Sequence, residues 1–103
     1  MRAAVEYLHD ELTRNVSLDE LAAVAGNTKY QLARQFKAAV GVPPRTYQVA
    51  LRVNLSRRLL ERGERATDVA GLAGFVDQSH LNRHFRRRLG KTPAQYARAA
   101  RRT

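Results

Sequence analysis

A pattern of six residues occurs twice in this chain, the second time 49 positions after the first. Because the spacing is the same from the first member of the pattern to the last, both stretches are expected to share one local fold. Helical patterning alone explains the apolar members, but not the paired glycine, proline and arginine positions. The first copy comprises Leu32, Arg34, Phe36, Gly41, Pro44 and Tyr47, and the second comprises Leu81, Arg83, Phe85, Gly90, Pro93 and Tyr96.

The repeat continues upstream, where matching residues of the two copies lie 48 instead of 49 positions apart. Two steeply crossing helices joined by a tight turn need a small side chain at the crossing and a flexible residue in the turn. Each copy therefore predicts a helix, a tight turn and a second helix, and the second copy has one extra residue after its glycine. The upstream matches, at an offset of 48, are Leu21 with Val69, Ala22 with Ala70 and Gly26 with Gly74.

The first copy carries two sets of helix signals. Ser17 with Glu20 and Thr28 with Gln31 both have the spacing of a capping box, in which each side chain bonds the other residue's backbone. Gly26 is suited to end the helix between them, and the second helix is expected to run to about residue 40. The expected apolar face of the first helix comprises Leu18, Leu21, Ala22 and Ala25.

The second copy has weaker signals in its leading helix. Ala66 and Thr67 stand where a larger apolar anchor is expected, and Gly71 lowers the helix propensity. Phe75 is expected to fill the core beneath the turn, and Asp77 to cap a helix over residues 78–89. We therefore expect this half to be the less stable one. The predicted apolar face of its leading helix comprises Val69, Ala70, Leu72 and Ala73.

The sequence thus predicts an all-α chain of about seven helices. Subdomains over residues 1–42 and 63–103 are expected to be joined by a linker helix over residues 43–62, which Pro43 and Pro44 begin. An initial helix is expected over residues 2–13 and a closing helix over 93–100, with a frayed tail from 101 to 103. Inward positions are expected at Val5, Leu8 and Leu12 of the initial helix, and the linker helix is indicated by the repeat every four residues of Tyr47, Leu51, Leu55 and Leu59.

Charge points to a polyanionic partner. The 103 residues carry a net charge of +10, and the first 25 hold two Arg against five Asp or Glu, a net of −3. The remaining residues therefore sum to +13. Such a field attracts nucleic acid, although a basic surface that aids solubility is an equally good explanation of charge alone. There is no cysteine, no apolar run long enough to span a bilayer and no leader pattern. We therefore expect a cytoplasmic protein that is not bound to a membrane, and with DNA as its partner we expect it at the nucleoid.

The repeat, together with Gly74-Phe75 and the stretch Asp77 to His80, closely resembles the DNA-binding domain of the AraC/XylS family. The resemblance covers essentially the whole chain. It implies seven helices in two helix-turn-helix subdomains, with two recognition helices in adjacent major grooves of double-stranded DNA, in an activator or repressor of transcription. Family members usually carry an N-terminal effector or dimerisation domain, so the chain is either a stand-alone member or an excised domain, and we expect the latter. The acidic first helix is a candidate contact for RNA polymerase, for that missing domain, or for solvent alone.

Three positions depart from the family's usual residues, namely Gln48, Ser56 and Ala66, and they bring the stability of the second half into question. The linker helix of about 18 residues spans about 27 Å at 1.5 Å per residue. Successive major grooves on one face of DNA lie about 34 to 36 Å apart. We therefore expect either a bent operator or loose engagement by the second unit.

The candidate base readers lie near the start of each recognition helix. Arg34 has the fork geometry that bonds two guanine acceptors, and Gln31 has the amide that reads adenine. The alternative for Arg34 and Arg83 is surface solvation or a phosphate contact. The predicted base readers are Tyr30, Gln31, Ala33 and Arg34 on the first recognition helix, and Gln78, Ser79, His80, Asn82 and Arg83 on the second. The predicted phosphate contacts, which position the protein without reading sequence, are Lys29, Lys37, Arg45, Thr46, Arg86, Arg87, Lys91 and Thr92.

Other functions find less support. His80 and His84 have a zinc-ligand spacing, but neither a cysteine nor an acidic partner accompanies them, so no metal and no cofactor is expected. No phosphate-binding glycine loop, carboxylate pair or activated nucleophile indicates an enzyme. An RNA-binding module and a membrane-surface helix remain as rivals. The aromatic residues that RNA readers expose are here expected in the core, where Tyr47 and Tyr96 pack, and no helix combines basic residues with a bulky apolar face.

Overall fold

The computed structural model describes residues 1–101, and Arg102 and Thr103, part of the expected frayed tail, lie outside the described residues. The described part of the chain is helical throughout, with no strand, which confirms the predicted fold class. Arg101, also assigned to that tail, instead ends the last helix. The helices are α1 (Arg2–Asp10), α2 (Leu18–Ala25), α3 (Lys29–Val40), α4 (Pro44–Glu61), α5 (Ala66–Leu72), α6 (Gln78–Leu89) and α7 (Pro93–Arg101).

The chain divides into two compact units, Met1–Ala50 and a second from Leu51 onward, so the boundary falls inside α4. The division into subdomains over 1–42 and 63–103 with a linker over 43–62 stays a prediction. In the first unit, α1, α2 and α3 enclose a core whose larger members, Leu32 and Phe36, are completely buried. Both residues are apolar members of the repeat, and both face the core of this unit.

The start of α2 differs from its expected capping box. Ser17 accepts a hydrogen bond from the backbone N–H of Glu20 at 3.0 Å, as predicted. The carboxylate of Glu20, however, accepts from the Tyr7 hydroxyl and the Arg14 guanidinium instead of reaching back to Ser17. The reason is that a charged guanidinium is a stronger partner for a carboxylate than a backbone N–H. At α3 both halves of the predicted box are present, between Thr28 and Gln31.

The second unit repeats this arrangement with a different first helix. Asp77 caps α6 by accepting from the backbone N–H of His80 at 2.8 Å, and Phe75 is buried beneath the turn, as expected. The leading helix α5 spans seven residues, and the side chain of Arg65, at its N-cap position, accepts no capping hydrogen bond from the backbone of the helix. Phe85 is completely buried, and its ring contacts that of Tyr96 in α7 edge to face. The weak start predicted for this helix is therefore visible as a missing cap.

Three details of the predicted helices are wrong. The initial helix ends at Asp10 rather than at residue 13, because the chain turns at Glu11. Leu18 and Leu72, expected on buried faces, are 38% and 49% exposed. In α4, Leu51, Leu55 and Leu59 are only half-buried. The fully buried positions of α4 are Gln48, Val49, Arg52, Val53, Ser56 and Leu60.

Polar residues occupy the buried face of α4 because their polar atoms find backbone acceptors there. The Gln48 amide donates to the carbonyl oxygen of Arg14 at 3.4 Å. The Ser56 hydroxyl donates to the carbonyl oxygen of Arg52, one turn earlier in the same helix, at 2.8 Å. Buried polar groups are tolerated when they are hydrogen-bonded, so an apolar pattern alone does not locate this face.

Candidate nucleic-acid interface

Helix α3 presents one polar face and one buried face. Leu32 and Phe36 pack into the core. Tyr30, which is 75% exposed, and Arg34 both lie on the side of the helix that faces away from the core. Ala33 is half-buried. The Lys29 ammonium lies 5.4 Å from the centre of the Tyr30 ring, within the range of a cation–π contact. The start of α3 therefore offers an aromatic ring and two cations to a partner.

Gln31 has a structural role that bears on its predicted one. Its side-chain oxygen accepts from the backbone N–H of Thr28 at 3.1 Å and so completes the capping box. Reading adenine with two hydrogen bonds requires both the oxygen and the amide nitrogen of glutamine. Capping α3 and reading adenine therefore compete for the same oxygen atom of Gln31.

Helix α6 presents a corresponding face with smaller side chains. Ser79, Asn82 and Arg83 are exposed in its first half. Gln78 is exposed too, and its amide donates to the carbonyl oxygen of Ala66 at 3.4 Å. His80 differs from these four because it is half-buried.

The His80 ring belongs to an aromatic cluster at the turn. It lies 5.4 Å from the Phe75 ring and 4.8 Å from the His84 ring, edge to face in both contacts, and Phe75 also stacks on His84. The Nδ1 atom of His80 is buried and has no hydrogen-bond partner. The structure thus brings four of the five predicted readers of α6 to the surface and places the fifth partly inside the turn.

The predicted phosphate contacts are exposed, with one exception. Thr92 is half-buried and caps α7, accepting from the backbone N–H of Gln95 at 3.2 Å, while the Gln95 side chain accepts from the backbone N–H of Thr92 at 2.9 Å. Sequence reasoning missed this box, although the Thr-x-x-Gln spacing signals it. It also passed over Arg88, which is exposed beside two predicted contacts. The exposed candidates are Lys29, Lys37, Arg45, Thr46, Arg86, Arg87 and Lys91.

Acidic residues are absent from both recognition helices, since neither α3 nor α6 contains an Asp or Glu. The carboxylates of the first unit lie on α1, on α2 and between these two helices, where Glu20 is neutralised by Arg14. The Arg14 and Tyr7 hydrogen bonds lower the pKa of Glu20 to about 2, and the Glu20 hydrogen bond raises the pKa of Tyr7 above its ordinary value. The two helices therefore present only neutral and basic groups to a polyanion.

Two further observations bear on the rival functions. No helix within residues 1–101 is both long enough and apolar enough to cross a membrane. Over the same residues, no three His, Cys, Asp or Glu side chains group closely enough to hold a metal ion. His80 and His84 thus meet as a pair of rings, without a third potential ligand beside them.

Comparison with known proteins gives one consistent family. A family model described as a helix-turn-helix domain matches residues 21–99. The uncharacterized HTH-type transcriptional regulator YbfI of Bacillus subtilis is 38% identical over 81 residues, which are 79% of this chain and 30% of that protein. The chain spans about a third of the length of the curated relatives it matches, between 30% and 37% in the first three.

Solved structures agree with this result. The DNA-binding domain of the global transcriptional factor AdpA, in complex with a target DNA, has a TM-score of 0.89 and 33% identity, covering 95% of this chain and 89% of that one. A transcriptional regulator from Chromobacterium violaceum, described by its AraC-type DNA-binding domain, has a TM-score of 0.87 and 26% identity, covering 96% and 89%. The chain therefore belongs to the AraC-type helix-turn-helix family.

Proposed function

We propose that this chain binds double-stranded DNA in a sequence-specific manner, with α3 and α6 as recognition helices in adjacent major grooves, and that it regulates transcription. The observation that carries the proposal is the pair of exposed, carboxylate-free helix faces, each held by a capped N-terminus. The likeness to a DNA-binding domain that was solved on its target DNA supports it. DNA-binding helix-turn-helix units place the N-terminal residues of the second helix against base edges.

The residues divide into two roles. Arg34 and Arg83, at equivalent positions of the repeat, are the proposed readers of guanine, because each side chain is exposed and a guanidinium has the geometry to bond both guanine acceptors. Tyr30 offers an aromatic face, and Asn82 an amide that reads adenine. Of the remaining predicted readers, Gln78 and Ser79 offer exposed polar groups. Gln31 reads a base only when its side-chain oxygen leaves the capping bond to Thr28. Ala33 and His80 are half-buried, so a base must approach the helix closely to contact them.

The other predicted contacts, six basic side chains and two threonines, are the proposed phosphate contacts. They position the protein on DNA and contribute a salt-dependent part of the affinity. Arg86, Arg87 and Arg88 lie consecutively in the last turn of α6, where positive charge also complements the helix dipole. Thr92 contributes through the N-terminus of α7, which it caps. The proposed set is Lys29, Lys37, Arg45, Thr46, Arg86, Arg87, Lys91 and Thr92.

A pair of arginine substitutions tests the two roles. Arg34→Ala is expected to weaken binding to a selected duplex by about 5- to 150-fold and to relax the preference at one or two base pairs, since a bidentate pair is worth about 1 to 3 kcal/mol. Arg87→Ala is expected to weaken all sequences equally and to reduce the salt slope by about one. Arg2→Ala removes an equally cationic side chain, 92% exposed on α1, and serves as the control that leaves affinity nearly unchanged. Equal behaviour of the first two variants would refute the division into roles.

Competition against a labelled duplex separates DNA binding from its rivals. Unlabelled duplex is expected to displace the label at lower concentration than structured RNA or anionic vesicles do. Preference for RNA would support the RNA-binding alternative, and preference for vesicles the membrane-surface one. Footprinting of a duplex selected from a random pool then shows whether one or two successive major grooves are protected.

Further partners belong to the whole protein. Because the chain spans about a third of its curated relatives, an N-terminal effector or dimerisation domain is part of the proposal. RNA polymerase is a second proposed partner, through the acidic surface of α1 and α2. A cytoplasmic, nucleoid-associated location follows from DNA as the target. An interaction assay of polymerase with the wild-type chain and with a variant in which Asp10, Glu11 and Asp19 are neutralised tests the second of these partners.

A further inference from the structure

Val76 is an apolar side chain that the fold leaves in solvent. It lies in the turn between α5 and α6, and 86% of its surface is exposed, more than for any other large hydrophobic residue in the described part of the chain. A single exposed valine is ordinary in itself. Val76, however, directly precedes Asp77, which caps the recognition helix α6. The residues at this end of such a helix are the ones that meet base edges.

The exposure of Val76 follows from the extra residue in the second copy of the repeat. In the first unit a single residue, Asn27, separates the turn glycine from the N-cap of α3, and its amide folds back to donate to Gln35 at 2.9 Å. In the second unit two residues, Phe75 and Val76, stand between Gly74 and Asp77. Phe75 enters the core and is 5% exposed. Val76 is left to project outward.

The two recognition helices also differ in where they carry a bulky apolar group. On α3 this group is Tyr30, which is 75% exposed. The residue at the equivalent position of α6, 49 further along, is Ser79, which is small and polar. The first turn of α6 therefore exposes no large apolar side chain of its own, since Leu81 is buried, and Val76 supplies one from the residue just before the helix cap.

We propose that Val76 contacts the C5-methyl group of a thymine and makes the second unit select thymine at that position. This inference rests on the proposed function, since it requires α6 to enter the major groove. The methyl group of thymine is the one apolar feature that base pairs present there. A branched aliphatic side chain with two methyl groups matches it, and excluding water from such a contact favours thymine over cytosine.

Thymine-to-uracil replacement tests the contact, because uracil lacks only the methyl group. Duplexes are selected from a random pool with the wild-type chain, and each thymine under the footprint of the second unit is replaced in turn. One replacement is expected to weaken binding about fourfold, the equivalent of one buried methylene. Val76→Ala is expected to weaken binding to the thymine duplex by a similar factor and to bind the thymine and uracil duplexes equally. A second selection with Val76→Ala is expected to lose the preference for that thymine and keep the preferences set by α3.

Leu89→Ala is the matched control, because Leu89 is an exposed apolar residue, 38% accessible, at the other end of α6. It is expected to retain the full uracil effect, and thermal melting is expected to show all three chains equally folded. A uracil effect that persists in Val76→Ala, or a pool without a preferred thymine beneath the start of α6, overturns the inference. In that event Arg83→Ala still distinguishes the proposals: if it weakens specific binding, DNA recognition by α6 stands and only the role of Val76 falls.

Discussion

The two units contain the same phenylalanine–tyrosine pair in nearly the same geometry. In the first, the rings of Phe36 and Tyr47 are 5.7 Å apart and inclined by 70°. In the second, those of Phe85 and Tyr96 are 5.6 Å apart and inclined by 74°. The phenylalanine and the tyrosine of the repeat therefore pack α3 against α4 in the first unit and α6 against α7 in the second. Tyr47 and Tyr96, which the sequence places in the core, are half-buried.

The units differ at the edges of this shared packing. The Tyr47 hydroxyl bonds to Nε2 of His9 at 2.9 Å, whereas the Tyr96 hydroxyl donates to the Glu61 carboxylate at 2.5 Å. The leading helix of the first unit is capped by Ser17, and that of the second has no side-chain cap. A common core thus tolerates different local supports, and these supports are where the stabilities of the two units are expected to diverge.

The largest losses of stability are expected from removing the phenylalanine of each aromatic pair. Phe36→Ala and Phe85→Ala each delete a completely buried ring, and we expect each to cost about 3 to 5 kcal/mol of unfolding free energy. Urea unfolding measures the total, and amide hydrogen exchange shows in which unit protection is lost. Each substitution is expected to act mainly in its own unit. A loss from Phe85→Ala below about 1 kcal/mol would show that the second core is not packed as closely as its geometry indicates.

Smaller and opposite effects are expected at the starts of the leading helices. Ser17→Ala removes a cap from α2 and is expected to cost about 1 kcal/mol. Arg65 already has the extended backbone of an N-cap residue, with φ −73° and ψ 141°. Arg65→Ser is therefore expected to stabilise the second unit by about 0.5 to 1 kcal/mol, less a small loss from its exposed ion pair with Asp68. Urea unfolding measures both changes.

Arg62→Ser provides the control for the cap, because Arg62 is also exposed but lies outside the N-cap position of α5. It is expected to change the unfolding free energy by less than about 0.5 kcal/mol. If Arg65→Ser were no better than this control, the missing cap would not explain the weakness of α5, and the low helix propensity of Gly71 would remain as its cause.

The tyrosine hydroxyls are expected to contribute unequally. Tyr96→Phe removes a bond to a carboxylate, which we expect to be worth about 0.5 to 1 kcal/mol at this partly exposed position. Tyr47→Phe removes a neutral bond to His9 and is expected to cost less. The Glu61 hydrogen bond raises the pKa of Tyr96. The stabilising neutral form is therefore present below the unfolded-state pKa of about 10 and lost as the pH rises through the folded value. Equal losses in the two variants at pH 7 would contradict the comparison.

The sequence was most informative where a single local interaction decides the structure. The limits of α3 and α6 follow from Thr28, Asp77 and the two glycines that end them, all of which act within one turn of the chain. The repeat also identified the aromatic core, because a constant offset reports on shared packing. What was predictable of the candidate site is its location at the start of each recognition helix.

Side-chain orientation was less predictable because it depends on residues distant in sequence. Glu20 has a capping spacing with Ser17, yet Tyr7 and Arg14 from other segments bind its carboxylate. Leu18 fits the apolar period of α2, but it lines a cleft of about 430 Å³ beside Pro43 and Pro44. The half-buried position of His80 likewise depends on packing across the turn. The spacing of apolar residues predicts which face of a helix points inward. Which residues of that face are buried then depends on the segments that pack against it.

The smallest change in unfolding free energy is expected from lowering the pH, and it should appear in the first unit and not in the second. The folded-state pKa of Glu20, about 2, lies below its ordinary value of 4.5, so its charged form is the stabilising one. That contribution is complete above about pH 4.5 and is lost as the pH falls from there toward 2. Glu20→Gln is expected to flatten this part of the pH dependence of urea unfolding, with the change confined to the first unit in hydrogen exchange. Glu64→Gln, exposed in the second unit, is expected to keep the wild-type slope. An unchanged slope in Glu20→Gln would mean that Arg14 and Tyr7 do not hold this carboxylate in solution, and that α1 and α2 are joined by their apolar contacts alone.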